Sequence, residues 1–195
     1  MPCQLGNLSS LRRLNCLLIL INTLIDAKLQ KLFYYAILRS MSNFKPKIYL
    51  DSTVPNYVFN NNYIEKQKSA QALFNAFKQK QAIGFISPAT IYEIEASNEP
   101  KRTKMLKLLN ACNLLKTSEE SENLAKHYIQ QNVFTKVNRE DARHVAYAVF
   151  YRINIIASYN FSHIVRLSTI KKLQVVNLVL GYLTPEIRSP EEIDL

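Results

Sequence analysis

Three acids, Asp51, Glu93 and Asp141, and one amide, Asn160, fall where a fold could bring their side chains together. Asp51 ends the apolar run Ile48-Tyr49-Leu50 and is followed by two hydroxyls, Ser52 and Thr53, and then Pro55. A carboxylate buried at a strand end costs free energy unless something pairs with it. Glu93 lies on the helix expected after a second apolar strand. Asp141 opens the helix before the run "INIIAS", and Asn160 lies just past that run, two residues beyond Ser158. In open α/β sheets, sites form beyond the carboxyl ends of the strands. Carboxylates about 4 Å apart repel by about 4 kcal/mol per pair at an effective dielectric of about 20. A fold that gathers three of them needs a cation. Oxygen-only ligands select a hard ion, Mg²⁺ or Mn²⁺, which can activate water and steady the leaving oxygen in phosphodiester cleavage.

Each acid taken singly has a plainer reading. Asp51 could cap the short helix after it, with Ser52 or Thr53 sharing the task. Glu93 could be a solvated helix residue; it sits about two turns in, so capping does not explain it. Asn138 as N-cap with Asp141 at the third helical position resembles a capping box. Glu95 and Glu140 are near the acids but out of register, and read as solvated. His144, one turn after Asp141, could orient a carboxylate or touch substrate, although packing or hydrogen bonding is the plainer role.

The elements that would position these residues alternate. Residues 47–51 read as a strand and 64–80 as an amphipathic helix, with Ala70, Leu73, Phe74 and Phe77 at helical spacing. "AIGFIS", residues 82–87, is a short apolar strand. Ser87 then reads as an N-cap with Pro88 at the first helical position, opening a helix to about Ala96. Helices are expected over 101–110, 119–131, 139–152 and 162–172. Further strands are expected at "CNLLKT", at 153–158 and, last, at "LQVVNLVL". Alternating strands and helices imply an α/β/α sandwich, three layers around a central parallel sheet.

Composition narrows the chemistry. The only glycines are Gly6, Gly84 and Gly181, so no G-x-G-x-x-G, P-loop or G-x-S-x-G elbow can be built. A haloacid-dehalogenase-like phosphatase would need a second acid two residues after Asp51, where Thr53 stands. Cys3, Cys16 and Cys112 form no C-x-x-C pair, which argues against a disulfide framework and fits a reducing, cytoplasmic setting. Net charge is +10, half of it within residues 1–46, and the remainder is still basic enough for a polyanionic partner such as RNA. Residues 1–45 read as an N-terminal extension. Its apolar run "LNCLLILINTLI" is too short for a membrane span, which takes about 20 residues. It is either a loosely docked helix or a stretch upstream of a true start at Met41; an export or membrane signal is the remaining reading. No membrane association is expected.

The pieces "KIYLDSTVPNYVF", "ISPATIYEIEAS", "REDARHVAYAV", "IIASYNFSHIV" and "VNLVLGYLTPEIRSPEEI" resemble, in order, the PIN-domain family, and within it the VapC-like toxin ribonucleases. The resemblance covers nearly all of 46–193, so residues 46–195 are expected to form a PIN-like nuclease domain. It implies a Mg²⁺- or Mn²⁺-dependent endoribonuclease, often the toxin beside a small antitoxin, and related proteins often dimerise. Carried over, the acids that hold metal and act in catalysis are Asp51, Glu93 and Asp141, with Ser52, Thr53 and Ser158 in support. The fourth position, aspartate in many members, is Asn160 here, which offers a neutral carbonyl and no charge. His144 and His163 also fall where similar sequences often have histidine. Arg143, Lys136 and Arg139 flank Asp141, and Arg166, Lys171 and Lys172 follow Asn160. Such a rim could hold RNA phosphates without reading bases, or be an ordinary charged surface. The other function considered is a catalytically silent PIN-like module that binds RNA or protein.

Overall fold

The computed structural model describes residues 45–194. The expectations for the N-terminal extension fall, but for Lys45, outside the described residues. Five short strands, β1 (Lys47–Leu50), β2 (Ile83–Ile86), β3 (Cys112–Leu114), β4 (Ile155–Ala157) and β5 (Glu186–Arg188), form one sheet in the order β3-β2-β1-β4-β5. Every pairing is parallel, and β1 lies at the centre, with Tyr49 opposite Phe85 on one side and Ile156 on the other. Seven α-helices are described: α1 (Thr53–Tyr57), α2 (Ile64–Lys78), α3 (Pro88–Glu95), α4 (Lys101–Leu108), α5 (Glu119–Gln130), α6 (Arg139–Phe150) and α7 (Leu167–Leu180).

The period-2 alternation of a strand sends neighbouring side chains to opposite faces. Ile48 and Leu50 therefore join one apolar core, with Val54 of α1, Leu73, Phe74 and Phe77 of α2 and Met105 of α4. Tyr49 joins the other, with Leu124 and Tyr128 of α5, Val145 and Val149 of α6 and Leu173 of α7. Two cores on two faces of one parallel sheet make the three-layer α/β/α sandwich expected from the alternation of elements. The helix α3 feeds both cores, Ala89 into one and Ile94 into the other. Gly84 is where β2 approaches α2 most closely: a Cβ there would meet the Phe77 ring and Cys112 Sγ at 2.9 Å.

Local signals placed most elements well. Ser87 is the N-cap of α3, with Pro88 in the first turn and a reciprocal capping box to Thr90. The last strand is a correction. "LQVVNLVL" lies inside α7, and the strand that completes the sheet is Glu186–Arg188. Thr169, Leu173 and Asn177 are buried while Lys171 and Val175 between them are exposed, a pattern a helix gives and a strand, whose alternate residues share a face, does not. The outward side stays apolar, with Val175, Leu178 and Val179 exposed. With only Gln174 and Asn177 polar among eight residues, the run reads like a strand buried on both faces. Gly181, at φ 78°, ends the helix in the left-handed conformation that glycine takes at no steric cost. Among the described residues, no helix is long and apolar enough to cross a membrane.

Candidate active site

Asp51 leaves the carboxyl end of the central strand and is only 2% exposed. Its Oδ1 accepts hydrogen bonds from the backbone N–H of Thr53, at 3.0 Å, and from the Thr53 hydroxyl; its Oδ2 accepts from the Ser158 hydroxyl, brought in by the end of β4. The Thr53 hydroxyl in turn accepts from the N–H of Tyr159 at 2.8 Å, and the Ser158 hydroxyl from the N–H of Asn160 at 2.9 Å. Both loops that follow the two central strands are thus tied to one carboxylate. The Thr53 N–H bond means that Asp51 does serve the start of α1, but its second oxygen is held by β4, which capping would not require.

Glu93 projects from α3 and accepts from the Ser52 hydroxyl; its Oε2 also lies 3.1 Å from Nε2 of His144. His144, on α6, is buried, and its Nδ1 is 2.7 Å from the Tyr49 hydroxyl, which lies 2.6 Å from Oγ of Ser87. A chain of side chains, Glu93–His144–Tyr49–Ser87, therefore links α3, α6 and β1. Burial pushes the Tyr49 phenol well above its ordinary range, so it keeps its proton. Burial alone would lower the His144 pKa, but the hydrogen bond and charge of Glu93, with the charges of Asp51 and Asp141, raise it above 6.5. The Glu93 carboxyl is held below its ordinary 4.5, because contact with His144 and Ser52 outweighs its partial burial.

Asp141 sits in the first turn of α6. The Asn138 side chain makes no capping hydrogen bond there, so the capping-box reading does not account for Asp141. Its Oδ1 accepts from the amide of Asn160 at 2.9 Å, and its Oδ2 lies 3.0 Å from Nδ1 of His163. The Asn160 carbonyl oxygen accepts from the N–H of His163 at 3.1 Å. A backbone N–H can only donate, so this bond fixes which end of the amide faces Asp141: it is the nitrogen.

The three acids influence one another. Burial raises the Asp51 carboxyl above 3.8; His144, Ser158 and Thr53 oppose the shift and the Glu93 charge adds to it. Burial also raises Asp141; the two histidines oppose this, and Glu93 and Asp51 add to it. Among the described residues, no three His, Cys, Asp or Glu side chains are closed up as a metal-binding group. The donor chemistry nevertheless fits a hard cation. An ionised carboxylate has about four lone-pair sites. With the bonds given above, Asp51 retains capacity at Oδ2, Glu93 at Oε1 and Asp141 at both oxygens.

Stability without added divalent ions should fall as pH rises from about 5.5 to about 8. The raised His144 value contributes stability that is full below 6.5 and lost as pH climbs through the folded value. Ionising Asp51 and Asp141 costs the folded state as pH climbs through their raised values, so their sign agrees with that of His144. Glu93 has the opposite sign, but its contribution is lost only below 4.5. Thermal unfolding by circular dichroism in chelator, at both pH values, measures the slope. A melting temperature that is flat or rises towards pH 8 contradicts it.

Of the residues singled out from sequence, Asp51, Glu93, Asp141, Asn160, Ser52, Thr53, Ser158, His144 and His163 lie in this one network. Arg143 does not: its guanidinium is paired with Glu122 at 2.8 Å and with Glu140 at 3.0 Å. Lys136 and Arg139 are exposed beside it, and Glu95 is solvated as expected. Tyr49, Ser87 and Thr90 escaped the reading by sequence. Ser87 was visible only as a helix cap, and nothing local distinguishes Thr90 from another helix residue or Tyr49 from another core aromatic.

The chain matches no family model and no curated protein. Among solved structures it is similar to VapBC2 from Rickettsia felis bound to a DNA fragment from their promoter. The match covers 73% of this chain and 98% of that chain, at 13% sequence identity and a TM-score of 0.48. A likeness that slight does not bear on what this chain does.

Proposed function

We propose that the chain is a divalent-metal-dependent endoribonuclease of the PIN type, acting in the cytoplasm as the toxin of a toxin–antitoxin pair, with a small antitoxin and a second copy of itself as partners. The observation that supports this reading is the hydrogen-bonded link from Asp51 through Ser158 and Asn160 to Asp141, with Glu93 bound to Ser52 directly after Asp51, beyond the carboxyl ends of the central strands. Mg²⁺ or Mn²⁺ would be held by these three carboxylates, with Asn160 beside Asp141. Such an ion, when bound, lowers the pKa of a coordinated water and polarises a phosphoryl oxygen. The chain's own residues keep the carboxylates aimed. Thr53 and Ser158 fix Asp51, Ser52 and His144 fix Glu93, and Asn160 and His163 fix Asp141. Exposed Lys136 and Arg139 are available to RNA phosphates, whereas Arg143 would first have to leave Glu122 and Glu140.

Asn160 favours the second reading, a catalytically silent RNA- or protein-binding module, since it replaces a charge with a neutral amide. Cleavage of a labelled single-stranded RNA by the purified full-length chain decides between them. Strand scission with Mg²⁺ or Mn²⁺, abolished by EDTA and restored by excess ion, is the expected result. Cleavage that persists in EDTA excludes the metal-dependent reading, and RNA left intact with either ion favours the silent module.

A further inference from the structure

Aromatic rings from the segments that follow Asp51 and Asn160 gather around one lysine. The ammonium of Lys66, on α2, lies 5.0 Å from the ring centroid of Tyr57, 5.4 Å from Tyr63, 5.3 Å from Tyr159 and 5.3 Å from Phe161. The rings also meet one another: Tyr57 and Tyr159 are 4.5 Å apart between centroids, and Tyr57 and Tyr63 are 5.7 Å apart, edge to face. Tyr159 is buried and its hydroxyl donates to the backbone carbonyl of Lys66 at 2.9 Å. Tyr63 and Phe161 are about half exposed, at 53% and 50%.

This cluster is joined to the acids through the backbone. Tyr57 closes α1, the helix that begins two residues after Asp51. Tyr159 donates its N–H to the hydroxyl that holds Asp51. Phe161 follows Asn160, whose amide holds Asp141. Four rings around one point would ordinarily make a receptor for an outside cation. Here the chain's own Lys66 already stands at that point. What is left to a ligand is the open surface of two rings, with a positive charge set between them. A planar group carrying an anion fits that pair of features, and a nucleotide of single-stranded RNA is such a group.

We propose that Tyr63 and Phe161, braced by Lys66, Tyr57 and Tyr159, stack an unpaired base of the RNA next to the bond to be cleaved. The inference rests on the ribonuclease reading above and adds to it the residues that would hold a base of the substrate. Lys66 holds the rings in place before the base arrives, so less ordering is left to oppose binding. Aromatic–base stacking tolerates any base, because every base has a π-face. The platform therefore selects unpaired over paired nucleotides without reading sequence.

The test uses the full-length chain carrying Asp51→Asn, to prevent cleavage, and a fluorescein-labelled, unstructured ten-nucleotide RNA read by anisotropy. Phe161→Ala is expected to weaken binding roughly tenfold to a hundredfold, and Phe161→Tyr to restore most of it. Phe161→Leu keeps the bulk and loses the π-face, so it should behave like the alanine variant. A series of the same RNA with one abasic nucleotide at each position adds a readout that a packing role would not move. One position should cost affinity in the parent and cost nothing further in Phe161→Ala. A base-paired hairpin of equal charge should bind the parent less tightly and be insensitive to Phe161→Ala. Equal affinity for parent and Phe161→Ala, or no abasic position whose cost disappears in the variant, overturns the platform. If the chain with Asp51 intact still cleaves RNA in a divalent-dependent way, the ribonuclease reading survives that result. RNA neither bound nor cleaved defeats both.

Discussion

Asp51→Asn and Asp141→Asn should each reduce divalent-dependent RNA cleavage by at least about a hundredfold while leaving the fold intact. The expected size follows from comparison: losing a group that merely supports a metal ligand costs about 10- to 100-fold, and these are the proposed ligands themselves. The expectation of an intact fold follows from the hydrogen bonds. An asparagine at position 51 can turn its oxygen towards Thr53, whose N–H must donate, and its amide towards Ser158, whose hydroxyl can rotate to accept. An asparagine at 141 can likewise turn its oxygen to the Asn160 amide and its nitrogen to the His163 ring. Burial already disfavours the charge at both positions, so removing it should leave the melting temperature in chelator equal or higher. Alanine is the wrong substitution, because at 51 it would strand the buried donors of Thr53 and Ser158. Cleavage rates for the two asparagine variants, with unfolding curves in chelator, check both halves. Full activity in either variant excludes that carboxylate as a metal ligand.

The second large effect is expected at Asn160. Its amide donates to Asp141, so Asn160→Asp replaces a donor with a second negative charge facing the first. Without a cation that change should cost the fold on the order of 1–2 kcal/mol, with part of the repulsion relieved as the pair takes up a proton. With a cation its sign reverses. Carboxylates are the ligands Mg²⁺ leans on, and a further charge at a site short of one should tighten Mn²⁺ binding by about tenfold. The wild-type chain should hold one ion tightly when free, and a second only weakly until RNA supplies a phosphate. Asn160→Ala should reduce cleavage less than Asp141→Asn does, because it removes a neutral partner rather than a charged ligand. Calorimetric titration with Mn²⁺, paired with unfolding in chelator, reads both signs on one variant. Two tight ions in the wild type, or no tightening in Asn160→Asp, would exclude the assignment of Asn160 to the fourth position.

What the chain by itself determined is the order of its elements and the places where acids could meet. Parallel strands must carry β-branched or apolar runs, helices opened by a cap and Pro announce themselves locally, and the sites of such sheets lie beyond strand ends. Those rules found β1 to β4 and the start of α3, and set Asp51, Glu93 and Asp141 at a strand end or on adjoining helices, from residue types alone. They failed at "LQVVNLVL" because α7 exposes apolar Val175, Leu178 and Val179 and buries polar Thr169 and Asn177, so its helical period shows only once the burial is known. Apart from the local bonds of Thr53 to Asp51, tertiary structure alone decided the partners of the acids. His144 lies 51 residues from Glu93, Ser158 lies 107 from Asp51, and Tyr49 lies 95 from His144. No local pattern encodes such separations. The same is true of Lys66 and its four rings, and of Arg143, which looked free to hold phosphate until α5 brought Glu122 to it. A side chain's charge is written in the sequence. Whether that charge is already neutralised depends on which surfaces the core brings together, because an ion pair or hydrogen bond forms only over a few ångströms.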